Sequence, residues 1–191
     1  LRDSVARLRV QALAEGISEP LAVTATLPLS YRTPWTWKNG LRDNARVSVN
    51  GTGVDVREIG LFLDPSIKAR GTATLSGEAL RTGGIWKLSG VVSADVTEAA
   101  SVSRELSVMA ARLHATFDGS ESGTAAEVRF TARTVSWKGW TVDTLAGSLR
   151  YAADTISVDT LTARIGDGTV VAAGTIPRAA LDSIHRGDGI R

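Results

Sequence analysis

The side chains able to do acid–base or metal chemistry in this sequence are few and scattered. There are two histidines and no cysteine. His114 stands inside the alternating run Ala111 to Phe117, and His185 lies near the C-terminal end. Histidine metal sites commonly use two or more ligands at fixed spacing, and the sequence holds no HxH, HExxH or Cys cluster. His114 therefore reads as an ordinary strand residue. Asp143, Asp159 and Asp167 lie in or beside strand-like sequence, but none has a second carboxylate at the interval that a general acid–base pair needs. They read as solvated outer-face or turn residues; a hydrolase acting through Asp143 or Asp159 is the catalytic alternative. Gly166-Asp167-Gly168 is too short to cradle a phosphate, and there is no GxSxG to present a nucleophile. The expectation is a protein that is not an enzyme and uses no metal or cofactor.

Elements that carry so little chemistry must act through their surfaces. A chain of 191 residues suits one domain or one section of a longer protein. Its formal charge is +2, with 22 basic and 20 acidic side chains interleaved. That balance speaks against a nucleic-acid footprint despite a sequence pI of 9.3. Lack of cysteine removes disulfides and thiol chemistry without naming a compartment. No apolar run approaches the roughly 18 residues of a membrane helix. The opening LRDSVARLRV has neither an initiator methionine nor a leader, and both ends run through regular sequence, so the chain is expected to be a fragment.

From Ile85 onward the side-chain period is close to 2, and turn signals recur every 10 to 14 residues, the pattern of an antiparallel meander. Expected strands are Ile85 to Val96, Leu106 to Phe117, Ala125 to Ser136, Thr141 to Tyr151, Thr155 to Ile165 and Thr169 to Ile176. Residues 85–176 thus form the regular part of a single β section, and 21–84 a less regular strand and helix part. In the first half of the chain, Val5 to Val10, Leu21 to Leu29 and Arg46 to Gly51 read as strands, the last ending in an Asn-Gly turn. Val56, Ile59 and Leu63 share a helical face before Pro65, which predicts a short helix near 55–63, although Ile59, Leu61 and Leu63 also permit a strand.

The stretch VSWKGWTV at Val135 to Val142 places a tryptophan on each side of Lys138-Gly139. Such a pair at a tight primed turn puts Trp137 and Trp140 opposite one another, on one face. They serve either as a register clamp or as an aromatic patch facing lipid or a partner. On the following strands the apolar set is Leu145, Gly147, Leu149 and Tyr151, then Ile156 and Val158, which slip in phase to Leu161, Ala163 and Ile165. A slip inside a strand implies a bulge, and hence a sheet that curls. With three phenylalanines and one methionine to fill a two-layer core, an open curved sheet holding an elongated apolar ligand is favoured. A closed sandwich or barrel with a dry core is the alternative.

The run Leu145 to Tyr151 (LAGSLRY), then Ile156 to Ala163 (ISVDTLTA) and Gly166 to Ile176 (GDGTVVAAGTI), resembles the repeating pattern of TamB and the wider AsmA-like β-groove proteins. Leu27-Pro28-Leu29, Gly53 to Val56, Arg70 to Gly77 and Leu88-Ser89-Gly90 resemble elements that precede it there, so the likeness spans Leu21 to Ile176. Ser76-Gly77 lacks the proline-containing continuation often seen in the family. The resemblance implies an all-β, taco-shaped groove with an apolar interior. It also implies a periplasmic protein, with an inner-membrane anchor outside this section, that moves phospholipid toward the outer membrane. Family members are also linked to outer-membrane protein assembly, which would bring an outer-membrane β-barrel partner. Phospholipid is then the expected partner, acyl chains lying in the groove and head groups at its rim. The candidate lining is Trp137, Trp140, Leu145, Leu149, Tyr151, Ile156, Val158, Leu161, Ala163 and Ile165. A structural or adhesive extracellular domain with a closed dry core is the alternative.

Overall fold

The computed structural model describes residues 4–12, 21–29, 41–57, 66–101, 105–120 and 123–177. They form a single antiparallel sheet whose spatial order follows the chain from β1 to β10. The strands are β1 (Ser4–Ala12), β2 (Leu21–Leu29), β3 (Arg46–Asp55), β4 (Ile67–Thr82), β5 (Ile85–Ser101), β6 (Leu106–Ser120), β7 (Gly123–Trp137), β8 (Trp140–Ala152), β9 (Thr155–Ile165) and β10 (Gly168–Pro177). Each pairs with its sequence neighbours. The expected strands from Ile85 onward all appear, most a few residues longer than their alternation suggested, and the less regular part 21–84 contributes to the same sheet. Two-residue turns join β4 to β5, β7 to β8, β8 to β9 and β9 to β10. At the Trp hairpin both Lys138 and Gly139 have positive φ, 48° and 82°, as a two-residue I′ turn requires.

Face assignments follow from register, because directly opposed residues share a side. On β4 the set Ile67, Ala69, Gly71, Ala73, Leu75, Gly77 and Ala79 alternates without interruption. Its partners on β5 change phase: Leu88, Gly90, Val92, Ala94 and Val96 lie opposite one end of the set, Ala99 and Ser101 opposite the other. The extra residue is Thr97, which faces the Arg70–Gly71 step. A Cβ at Gly71 would lie 2.2 Å from the Asp95 carbonyl oxygen, so this approach of two backbones requires glycine. The slip is repeated on the next strands at Ala110, Thr134 and Asp143, which have no ladder partners, and Ala110 and Thr134 have φ of 47° and 50°. A row of unpaired residues thus crosses β5 to β8. β9 has its own slip at Asp159, which lies opposite the Ser148–Leu149 step.

The consequence is one apolar face running across ten strands and a polar face behind it. The expected all-β antiparallel meander, open on one side, is what forms: β1 and β10 are its two free edges, and the sheet differs from the expectation only in being uncurled. Slips on neighbouring strands lie side by side, so they reset side-chain phase together and keep a single face, instead of turning one half of the sheet over the other. The closed sandwich is likewise not what the described residues form. Their buried positions are small, Ala25, Ala45, Val54, Ala69, Ala73 and Ala132 among them, and no large side chain is fully buried.

Two further expectations change. Gly51 is not at a turn; it sits inside β3, opposite Leu75, where a Cβ would meet the Leu21 side chain at 2.8 Å. Asp55 ends β3 and its Oδ1 accepts the Arg57 N–H at 2.9 Å, the bond an N-capping aspartate makes. Val56 and Arg57 are helical, and the rest of the expected helix lies outside the described residues.

Candidate functional face

Register places all ten candidate lining residues on the apolar face. Leu145 opposes Ala163, Leu149 opposes Val158, Tyr151 opposes Ile156, and Leu161 opposes Gly147. Ile165 follows Ala163 two residues on, at the β9–β10 turn. Trp137 opposes Trp140. The row of slips carries that pair onto this face, since Val135 and Val142 oppose one another beyond it and Val135 faces Val108, itself opposite Ala99. The indoles stand at one end of the strands, 55% and 75% exposed, with Lys138 Nζ 5.6 Å from the centre of the Trp137 ring.

The face extends well beyond those ten residues. Ala6, Leu8 and Val10 on β1 face Leu27, Ala25 and Val23, and Leu88, Leu113, Phe117, Val128 and Phe130 continue it through β5, β6 and β7. Glycines keep it level. A Cβ on Gly90 would lie 2.3 Å from Cζ of Phe117, and one on Gly147 would lie 3.1 Å from both Phe130 and Leu161; the rings occupy the space those side chains lack. Strand spacing and rise of about 4.8 and 3.3 Å give the face dimensions on the order of 40 by 40 Å. The largest patch on an ordinary monomer is roughly 300–600 Å².

Aromatic side chains with a polar atom border the face at both strand ends. Trp137 and Trp140 lie at one; Trp86 and Tyr151 lie at the other, where the Tyr151 hydroxyl donates to Asp154 Oδ1 at 3.0 Å. Indole and phenol groups favour such apolar–polar boundaries. Sequence reading gave no strand for β4, and it assigned no part in the face to Trp86 or to the residues of β1 to β5. The signal was the odd-numbered run Ile67 to Ala79, disguised because two of its members, Gly71 and Gly77, have no side chain.

The opposite face carries the polar residues considered for chemistry. His114 Nδ1 lies 2.9 Å from Ser93 Oγ. Arg112 pairs with Asp95 at 2.9 Å, Arg129 with Glu127 at 2.7 Å and Arg150 with Asp159 at 3.6 Å. Exposed pairs of this kind contribute about 0–1 kcal/mol each. A shallow depression is lined by Ser93, Arg112, His114, Arg129 and Arg150, and its arginines are engaged by those carboxylates. Asp143 Oδ2 accepts the Gly166 N–H at 2.6 Å, and Asp167 lies in the adjoining turn between β9 and β10. Asp143 and Asp159 stand about 17 Å apart along the strands, at roughly 3.3 Å per residue, so they are not brought together. Among the described residues no three His, Asp or Glu side chains gather as metal ligands.

The class that fold and surface define, among the described residues, is a single-layer antiparallel meander with one uncovered apolar face and one charged face. No family model, curated protein or solved structure matches the chain.

Proposed function

We propose that this chain is a section of a non-enzymatic lipid conduit, in which phospholipid acyl chains lie against the apolar face and head groups stay at its aromatic borders. The observation that carries the reading is the uncovered apolar face itself. A sheet with one apolar side must bury it against something, and the described residues supply no second layer. Acyl chains fit a broad, level surface of aliphatic side chains and glycines, because they need no directional partner and gain by leaving water. The resemblance of Leu21 to Ile176 to TamB and AsmA-like chains supports the same reading. With it come a periplasmic setting, an inner-membrane anchor elsewhere in the parent chain, an outer-membrane β-barrel partner and a part in outer-membrane protein assembly.

Mass spectrometry of organic extracts from gently purified protein tests the proposal. Co-purifying phospholipid in stoichiometric amount is the expected result. A lipid-free protein that also fails to take phospholipid from vesicles overturns it and leaves a structural or adhesive β-domain as the better reading.

A further inference from the structure

One charged side chain breaks the apolar face among the described residues. Arg81 is the last residue of the odd-numbered β4 set, directly opposite Trp86 on β5 and next to Ala45 on the other side. Ala45 is completely buried. The guanidinium is held by backbone: NH1 donates to the Leu41 carbonyl and Nε to the Gly84 carbonyl at 3.4 Å. No carboxylate among the described residues pairs with it; the nearby Asp43 instead accepts the Gly84 N–H through Oδ1 at 2.9 Å. A guanidinium has five N–H donors in a planar fork, so three on NH1 and NH2 remain for a ligand.

The surroundings leave that fork accessible and put an apolar surface beside it. The β4–β5 turn consists of Gly83 and Gly84, which carry no side chains, and NH2 lies beside Gly84, 3.9 Å from where a Cβ would stand. Below Arg81 on the same face lie Ala79, Gly77 and their partners Leu88 and Gly90. Trp86 stands at the boundary, its indole on the apolar side. A fixed cation, an interfacial aromatic and an apolar floor of small residues match a molecule with an anionic head and a long hydrocarbon tail. Arg presents two parallel N–H bonds to phosphate oxygens, a stronger contact than a neutral hydrogen bond.

We infer that Arg81 and Trp86 form an anchoring site for a phosphate-bearing, net-anionic lipid head group, with the acyl chains running down the face over Ala79, Gly77 and Gly90. The inference rests on the conduit reading and adds a preference for anionic over zwitterionic lipid. Purified protein is incubated with vesicles of equal phosphatidylglycerol and phosphatidylcholine and re-isolated, and its bound lipids are quantified. Wild-type protein is expected to be enriched in phosphatidylglycerol. Arg81→Gln lowers the ratio about tenfold, as loss of a charge-assisted pair does, while total lipid stays within about twofold. Arg81→Lys keeps the charge and loses the fork, so it covers the case in which the Gln variant does not fold; it lowers the ratio severalfold. A wild-type ratio in either folded variant overturns the site and leaves the conduit standing. Absence of lipid from the wild-type protein overturns both. Displacement of phosphatidylglycerol by millimolar inorganic phosphate assigns Arg81 to a free anion and overturns the lipid head group as its ligand.

Discussion

Phe117 and Gly90 illustrate how single residues set the shape of the face. The ring lies where a Gly90 side chain would project, and the Ser76 carbonyl is 2.8 Å from the same position. Gly90→Ala therefore forces the ring aside against a backbone that cannot give, and is expected to cost about 1–3 kcal/mol. Denaturant midpoints check this. The double variant with Phe117→Ala should recover part of the loss, since residues in contact couple. Trp137 and Trp140 belong to a different regime. Half-exposed or more, each is expected to lose only ~1 kcal/mol on substitution by alanine and to lower lipid loading more than stability. A loss of several kcal/mol with unchanged lipid content would mark them as a structural clamp alone.

At the level of elements, the row of slips across β5 to β8 is the feature on which the continuous face depends. Thr134 adopts a φ of 50°, a conformation that costs a β-branched residue roughly 1–2 kcal/mol. Thr134→Gly should consequently stabilise the protein by about 1 kcal/mol, seen as a higher unfolding midpoint with unchanged circular dichroism. Gly71→Ala acts in the opposite sense, because its Cβ meets the Asp95 carbonyl. It should separate β4 from β5 locally, with faster amide hydrogen exchange at Val96 and Glu98. An outcome in which Gly71→Ala leaves exchange unaltered there would mean that the close approach is not needed for the slip.

For the molecule as a whole the governing fact is an apolar face for which the described residues supply no covering layer. Ala163 and Leu149 both lie on it, on adjacent strands, and a charge at either position stands in the path of an acyl chain. Ala163→Arg and Leu149→Arg should each leave the sheet folded, because the face is open and a long side chain can reach water. They should also reduce phospholipid uptake from vesicles severalfold. A dye that brightens on apolar surfaces should bind the delipidated protein and be displaced by added phospholipid; retention of dye at saturating lipid would place the apolar surface elsewhere.

Period-2 alternation and turn chemistry were enough to determine the strands from Ile85 onward, the Lys138-Gly139 hairpin with its opposed tryptophans, and the slip after Val158. These are local matters, decided by which residues tolerate positive φ and by which side of a strand an apolar residue takes. Recognition of β4 failed because its inward positions include glycines, whose apolar role exists only when neighbouring rings such as Phe117 fill the space. Alternation is also silent about how slips on separate strands line up. Thr97, Ala110, Thr134 and Asp143 are far apart in sequence, and only the pairing of β5 to β8 sets them in one row. That alignment keeps the apolar residues of β5 to β8 on a single face. It also brought Trp137 and Trp140 onto the same face as Leu145.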